Sequence, residues 1–205
     1  MFGALEPTQL IIFILALLSA ITIHEFSHAL MADKLGDPTP RLQGRLTLNP
    51  LAHLDPLGTI LLFLVHFGWG KPVQFDPYNL ANPRRDAAII SFAGPASNLI
   101  LAAILALIAR TNPQALLILV PFIQLNVVLA IFNLIPIHPL DGGKVLVGLL
   151  DPKTASEVDR FMSHYGLIIL LILIFPLFGA PLISSILSPI LNLILNILLP
   201  TTPLI

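Results

Sequence analysis

The sequence HEFSH, residues 24–28, contains the side chains best suited to bind a metal ion. His24 and His28 are four residues apart, which places them one turn apart on the same face of a helix. Two neutral imidazoles with this spacing bind Zn²⁺, and the adjacent Glu25 is placed to act as a general base toward a water at the metal. The arrangement therefore predicts metal-assisted hydrolysis.

A catalytic zinc ion needs a third protein ligand and one open position. The chain has no cysteine, so this ligand must be His, Asp, Glu or Asn. Asp141 lies in IPIHPLDGG, residues 135–143, where two prolines and two glycines predict a helix end and a tight turn. From spacing alone, Asp141 serves equally well as the N-cap of a helix over 142–150. Further candidates for the third ligand are His138, His53, Asp55 and His66.

The composition indicates a membrane protein. Of 205 residues, 56% are hydrophobic and 10% are charged, whereas soluble domains are about 25% charged. A net charge of −1 gives no basic surface for nucleic acid. A charged residue within a membrane span costs about 2.5–3.5 kcal/mol on insertion scales. HEFSH in the first apolar segment therefore favours a functional cavity over polar residues at a helix end. The segment lacks a basic start, so we expect a retained helix rather than a signal peptide.

The predicted fold is an α-helical polytopic membrane protein with about five to six membrane segments. The apolar segments are 9–32, 57–70, 87–109, 115–137, 166–180 and 181–199. Segment 57–70 is short and is predicted to be re-entrant or interfacial. Polar–apolar alternation over 41–48, with a partner at 71–77, predicts a small membrane-associated β-element.

We expect a single membrane-embedded domain over residues 1–205. Its catalytic core covers about 9–150, and C-terminal hydrophobic helices follow over 164–200. All Lys and Arg residues except Arg110 fall on one side of the predicted spans. The positive-inside rule then predicts a multi-pass protein of the cell membrane with its N-terminus outside and the metal site toward the cytoplasm.

Four motifs carry a resemblance to a known family. HEFSH, GPASN (94–98) and FNLIPIHPLDGG (132–143) lie in successive membrane segments, and NPLAHLDPLGT (49–59) lies between the first two. This order resembles the site-2 proteases, the intramembrane zinc metalloproteases of peptidase family M50, and in particular their small single-domain prokaryotic members. The resemblance covers most of residues 10–150.

The resemblance implies that His24, His28 and Asp141 bind one zinc ion per chain and that Glu25 is the catalytic base. It implies hydrolysis of peptide bonds in or near transmembrane segments of membrane proteins, so the expected partners are a transmembrane substrate and the lipid bilayer. Asn98 matches the asparagine of the family's GPxxN sequence. An amide near the metal stabilises an oxyanion or makes an interhelical hydrogen bond, and both roles remain open.

Three further residues are candidates for lining the site. Asn133 has the same two roles open as Asn98, with helix packing favoured. His138 precedes Asp141 by three residues and is a candidate to contact a metal ligand or to be an additional ligand itself. His53, with Asp55, is a candidate for gating or substrate orientation, although a turn at Asp55 explains much of this motif.

Two other functions fit a buried His and Asp site. A membrane metal transporter would use such residues along a permeation path, but the chain shows no inverted repeat. A non-proteolytic relative that binds membrane helices would have no use for a general base beside the metal.

Overall fold

The computed structural model describes residues 6–58, 60, 70–176 and 181–199. Within these residues the chain forms helices and connecting loops, with no strand. The helices are α1 (Pro7–Lys34), α2 (Thr39–Leu42), α3 (Pro83–Thr111), α4 (Leu116–Asn133), α5 (Asp141–Leu149), α6 (Pro152–Ile174) and α7 (Leu182–Leu198). Three short 3₁₀ helices lie at Pro50–Ala52, Pro77–Asn79 and Pro113–Ala115.

Local sequence signals explain where the long helices begin. Pro7, Pro83 and Pro152 occupy first-turn positions, where a missing N–H is tolerated. The carboxylate of Asp151 caps α6 by accepting hydrogen bonds from the backbone N–H groups of Lys153 and Thr154 at 3.1 and 3.2 Å.

The prediction of an α-helical membrane protein is confirmed. Helices α1, α3 and α4 are long and apolar enough to cross a membrane, and α7 is a shorter apolar helix. Helix α6 joins a polar first half to the predicted apolar segment and ends at Ile174. Three such helices among the described residues are fewer than the five to six segments expected. Most of segment 57–70 lies outside the described residues.

The predicted β-element is wrong for the described residues. Residues 39–42 form α2, residues 71–76 have no regular secondary structure, and one isolated antiparallel bridge joins Leu54 to Gly70. In this region side chains, and not a neighbouring strand, make hydrogen bonds to backbone carbonyl groups. The buried guanidinium of Arg45 donates to the carbonyls of Ala52 and Lys71.

Asp37 organises the same region from the other side. Its buried carboxylate accepts hydrogen bonds from the Thr39 hydroxyl, the Asn79 amide and the backbone N–H of Asp76 at 2.6–2.8 Å. Burial alone would raise the pKa of Asp37, but these hydrogen bonds outweigh it and hold the pKa below its usual value. A charged carboxylate therefore joins the end of α1 to the loop that precedes α3.

Small side chains let the spanning helices approach closely. Ala16 and Ala20 on α1, Ala102 on α3 and Ala130 on α4 are completely buried. Alanine at such contacts brings helix backbones near one another within an apolar environment. Helix α3 packs against α1, α4 and α5, and this packing brings the second half of α1 to the start of α5.

Candidate metal centre

Helices α1 and α5 bring His24, His28 and Asp141 together. The Oδ2 atom of Asp141 lies 3.1 Å from the Nε2 atom of each histidine. Both histidines are buried, and the three candidate ligand atoms lie within 4.8 Å of one another. Two imidazole nitrogens and one carboxylate oxygen are a donor set that zinc uses, with a fourth position left open.

The start of α5 explains how Asp141 reaches the histidines. Leu140 occupies the N-cap position and Asp141 is the first helical residue, so the N-cap alternative is wrong. A Cβ atom on Gly142 would lie 2.3 Å from the Leu134 carbonyl oxygen and 2.4 Å from that of Ile135. Glycine is therefore required for α5 to fold back against the end of α4.

Hydrogen bonds at the far side of each imidazole fix which nitrogen faces Asp141. The Nδ1 atom of His24 lies 2.6 Å from Oδ1 of Asn98, and that of His28 lies 2.7 Å from the Ile90 carbonyl oxygen. Both partners are acceptors, so each Nδ1 carries the proton in the neutral ring. The two Nε2 atoms and Oδ2 of Asp141 then direct lone pairs at one another, an arrangement that a shared cation relieves. The residues present thus fit zinc.

Asn98 holds His24 and has no N–H left for a substrate. Its Nδ2 atom donates to the Ala20 carbonyl at 3.0 Å and to Oδ1 of Asn126 at 2.7 Å. These two bonds also assign the amide orientation, because they require the nitrogen on that side. The geometry matches the interhelical hydrogen-bond alternative, and an oxyanion donor would need an uncommitted N–H.

Glu25 faces the same cavity and has a backbone partner. Its Oε2 atom accepts a hydrogen bond from the Val73 N–H at 2.8 Å. The cavity has a volume of about 130 Å³ and is lined by Glu25 together with the three candidate ligands. Burial lowers the pKa of the nearby Arg45, and the negative charge of Glu25 opposes this shift.

The three additional candidates for lining the site lie in three different places. Asn133 lines the metal cavity, although its Nδ2 atom donates to the Leu129 carbonyl in its own helix at 2.9 Å. His138 lies in a neighbouring groove of about 1500 Å³, with its Nε2 atom 2.9 Å from Oδ1 of Asp159. His53 is completely buried in the loop, where its Nε2 atom lies 2.8 Å from the Thr47 carbonyl oxygen.

Of the two remaining ligand candidates, only Asp55 lies among the described residues, and it does not join the cluster. Asp55 accepts a hydrogen bond from the Gly58 N–H at 2.8 Å, as expected for a turn. His66 lies outside the described residues.

Three further residues at the site were not predicted from the sequence. A Cβ atom on Gly94 would lie 2.5 Å from Nε2 of His28, so only glycine fits beside the imidazoles. Ser91, one turn earlier on α3, lines the cavity with a buried hydroxyl, and Lys144 lines it from α5. Gly94 belongs to the GPASN motif and could have been predicted from it, whereas Ser91 and Lys144 lie outside the motifs.

Comparisons with known proteins agree with this arrangement. The model of Peptidase family M50 matches residues 109–174. The chain is 40% identical over 188 residues to "Putative zinc metalloprotease YwhC" of Bacillus subtilis, covering 86% of this chain and 84% of that protein. It is 34% identical over 170 residues to "Putative zinc metalloprotease Rip2" of Mycolicibacterium smegmatis, covering 78% and 65%. No solved structure matches the chain.

The fold and the site define a membrane-embedded zinc metalloprotease. The chain belongs to peptidase family M50, the site-2 protease family. The predicted family, enzyme class and zinc cofactor are thereby confirmed. The chain spans most of the Bacillus relative and about two thirds of the mycobacterial relative.

Proposed function

We propose that this protein is an intramembrane protease that hydrolyses peptide bonds in or near transmembrane segments of membrane proteins. One observation carries the proposal: the candidate ligands and Glu25 meet at a buried cavity among helices apolar enough to cross a membrane. A site among such helices favours a substrate that lies within the membrane over a soluble substrate.

His24, His28 and Asp141 are the residues that would hold one zinc ion per chain. Zinc, when bound, supplies a Lewis acid for the substrate carbonyl and lowers the pKa of water to about 7. Glu25 accepts the proton from the attacking water and returns it to the leaving amine nitrogen. The Val73 N–H occupies Oε2 of Glu25, which leaves Oε1 to hold the proton.

The loop segment 71–76 is the proposed entry for an unwound substrate. Pro72, Val73 and Phe75 of this segment line the metal cavity, and the same residues line the neighbouring groove. Strand addition pairs an unwound peptide with main-chain groups at the rim of a site. In this segment the Val73 N–H and the Lys71 carbonyl already have partners, so pairing would use the main chain that follows Val73. We place this segment on the cytoplasmic side and the N-terminus outside, in accord with the distribution of Lys and Arg.

A cleavage assay with purified protein and a model transmembrane peptide tests this function. We expect the wild-type protein to cleave the peptide and Glu25→Gln to lose cleavage while retaining its zinc, because glutamine cannot take up the proton. Glu157→Gln, at an exposed position on α6, is the matched control and should cleave normally. Wild-type cleavage by Glu25→Gln would refute the mechanism, and zinc-loaded wild-type protein without cleavage would favour a non-proteolytic relative.

No observation favours the transporter alternative. Within the described residues, His24, His28 and Asp141 are the one group of three His, Asp or Glu side chains close enough to share an ion. A permeation path needs successive sites.

A further inference from the structure

Ser91 carries a buried hydroxyl whose Oγ has no hydrogen-bond partner among the described residues. The residue is 1% exposed. Serine hydroxyls within helices ordinarily bond a carbonyl one turn back. Ser27 and Ser97 do so, at 2.7 Å from the carbonyl oxygens of Ile23 and Gly94. Because buried polar groups are almost always paired, the exception at Ser91 points to a partner that arrives from outside the chain.

The position of Ser91 shows where such a partner would be. Ser91 lines the metal cavity together with Glu25 and Asp141. It lies one turn before Gly94 on α3, where an added Cβ would meet His28 Nε2 at 2.5 Å. Pro95 lacks the N–H that would bond the Ser91 carbonyl, so the helix is also incomplete at this residue.

Two nearby donors already have partners in the protein, whereas Asn133 and Lys144 also line the cavity and carry N–H groups beyond those with a recorded partner. Both N–H bonds of the Asn98 side chain have partners within the helices, and the Val73 N–H bonds Glu25. The ammonium of Lys144 lies over the Phe75 ring, 4.7 Å from its centroid. Peptide hydrolysis places negative charge on the substrate carbonyl oxygen, and a preorganised donor at that oxygen accelerates the reaction.

We propose that the Ser91 hydroxyl donates a hydrogen bond to the carbonyl oxygen of the scissile peptide bond and stabilises the charge that develops there. Ser91 keeps its proton throughout and forms no covalent bond to substrate. This role rests on the proposed proteolytic function, and it is the role that sequence analysis left open for Asn98.

Ser91→Ala and the matched control Ser97→Ala test the proposal. We expect Ser91→Ala to lower kcat by about 10²–10³-fold, the usual loss for one oxyanion donor, with wild-type zinc content. Binding of the uncleaved peptide, measured in a Glu25→Gln background, should be unchanged. Ser91→Thr keeps a hydroxyl and should retain more activity than Ser91→Ala, and Ser97→Ala should cleave normally.

A second readout separates catalysis from structure. Removing an unpaired buried hydroxyl should leave the Tm of the metal-free protein unchanged or raise it. Wild-type kcat in Ser91→Ala would overturn the proposal, as would a loss of activity that parallels a lower Tm or loss of zinc. If the wild-type protein itself fails to cleave, both proposals fall, whereas a cleaving wild type with fully active Ser91→Ala removes only this one.

Discussion

At the scale of single residues, each candidate ligand is oriented by the hydrogen bond at its opposite end. Asn98 connects His24 on α1 to Asn126 on α4, and Asn126 donates in turn to the Phe122 carbonyl at 2.8 Å. His24, Asn98 and Asn126 are all buried, and each has a hydrogen-bond partner. Such outer-shell partners fix the tautomer and ring direction of metal-binding histidines.

Asn98→Ala should therefore weaken zinc binding without removing a ligand. We expect the zinc Kd, measured by competition with a chelator, to rise about 10–100-fold. Asn98→Asp keeps an acceptor for the Nδ1 proton and should recover part of the affinity. Asn192→Ala, at an exposed position on α7, is the control. An unchanged Kd in Asn98→Ala would show that the hydrogen bond to His24 does not matter.

At the scale of elements, the site depends on how closely α1 and α3 approach. Gly94 lies against the imidazoles, and the completely buried Ala20 accepts a hydrogen bond from Asn98 through its carbonyl. Neither imidazole can retreat without breaking its Nδ1 bond to Asn98 or Ile90. A close-packed contact of this kind leaves no space for an added methyl group.

Gly94→Ala should abolish zinc binding and lower the Tm. Within a helix, Gly→Ala ordinarily gains about 1 kcal/mol, so a loss must come from the contact with His28. Zinc content and Tm of the purified variant are the measurements, with Phe92→Ala at an exposed position of α3 as control. A variant that retains a full equivalent of zinc would contradict the described packing.

Sequence patterns predicted the elements unevenly. Hydropathy and length located α1, α3 and α4 within a few residues, because apolar length is what a membrane span requires. Alternation over 41–48 predicted a strand that does not form, since the backbone N–H groups of residues 42–45 bond carbonyls of residues 38–41 in local turns.

The site was also predictable only in part. Spacing gave the histidine pair and Glu25, and the turn sequence gave Asp141 as one of two alternatives. The direction of the Asn98 amide and the unpaired hydroxyl of Ser91 depend on contacts between helices, which no local pattern encodes.

At the scale of the whole molecule, charge is distributed unequally between the two ends of the spanning helices. Arg110 lies at the end of α3, whereas Lys34 at the end of α1 and Arg84 at the start of α3 lie at the opposite end of the antiparallel pair. On the positive-inside rule, we propose that the end with more cations faces the cytoplasm. The metal cavity lies toward that end.

Cysteine labelling tests this orientation against a clean background, since the chain has no cysteine. Tyr78 is 96% exposed, and Asn112 follows the end of α3. In intact cells, a membrane-impermeant thiol reagent should label Asn112→Cys and leave Tyr78→Cys unlabelled until the membrane is opened. The reverse pattern would place the metal site on the outer side.

The central claim is that His24, His28 and Asp141 hold one zinc ion, and the zinc content of purified Asp141→Ala tests it most directly. We expect one equivalent in the wild-type protein and in the control Asp151→Ala, which changes only the cap of α6. Asp141→Ala should lose most of its zinc at the same chelator concentration. A full equivalent of zinc in folded Asp141→Ala would contradict the proposed site.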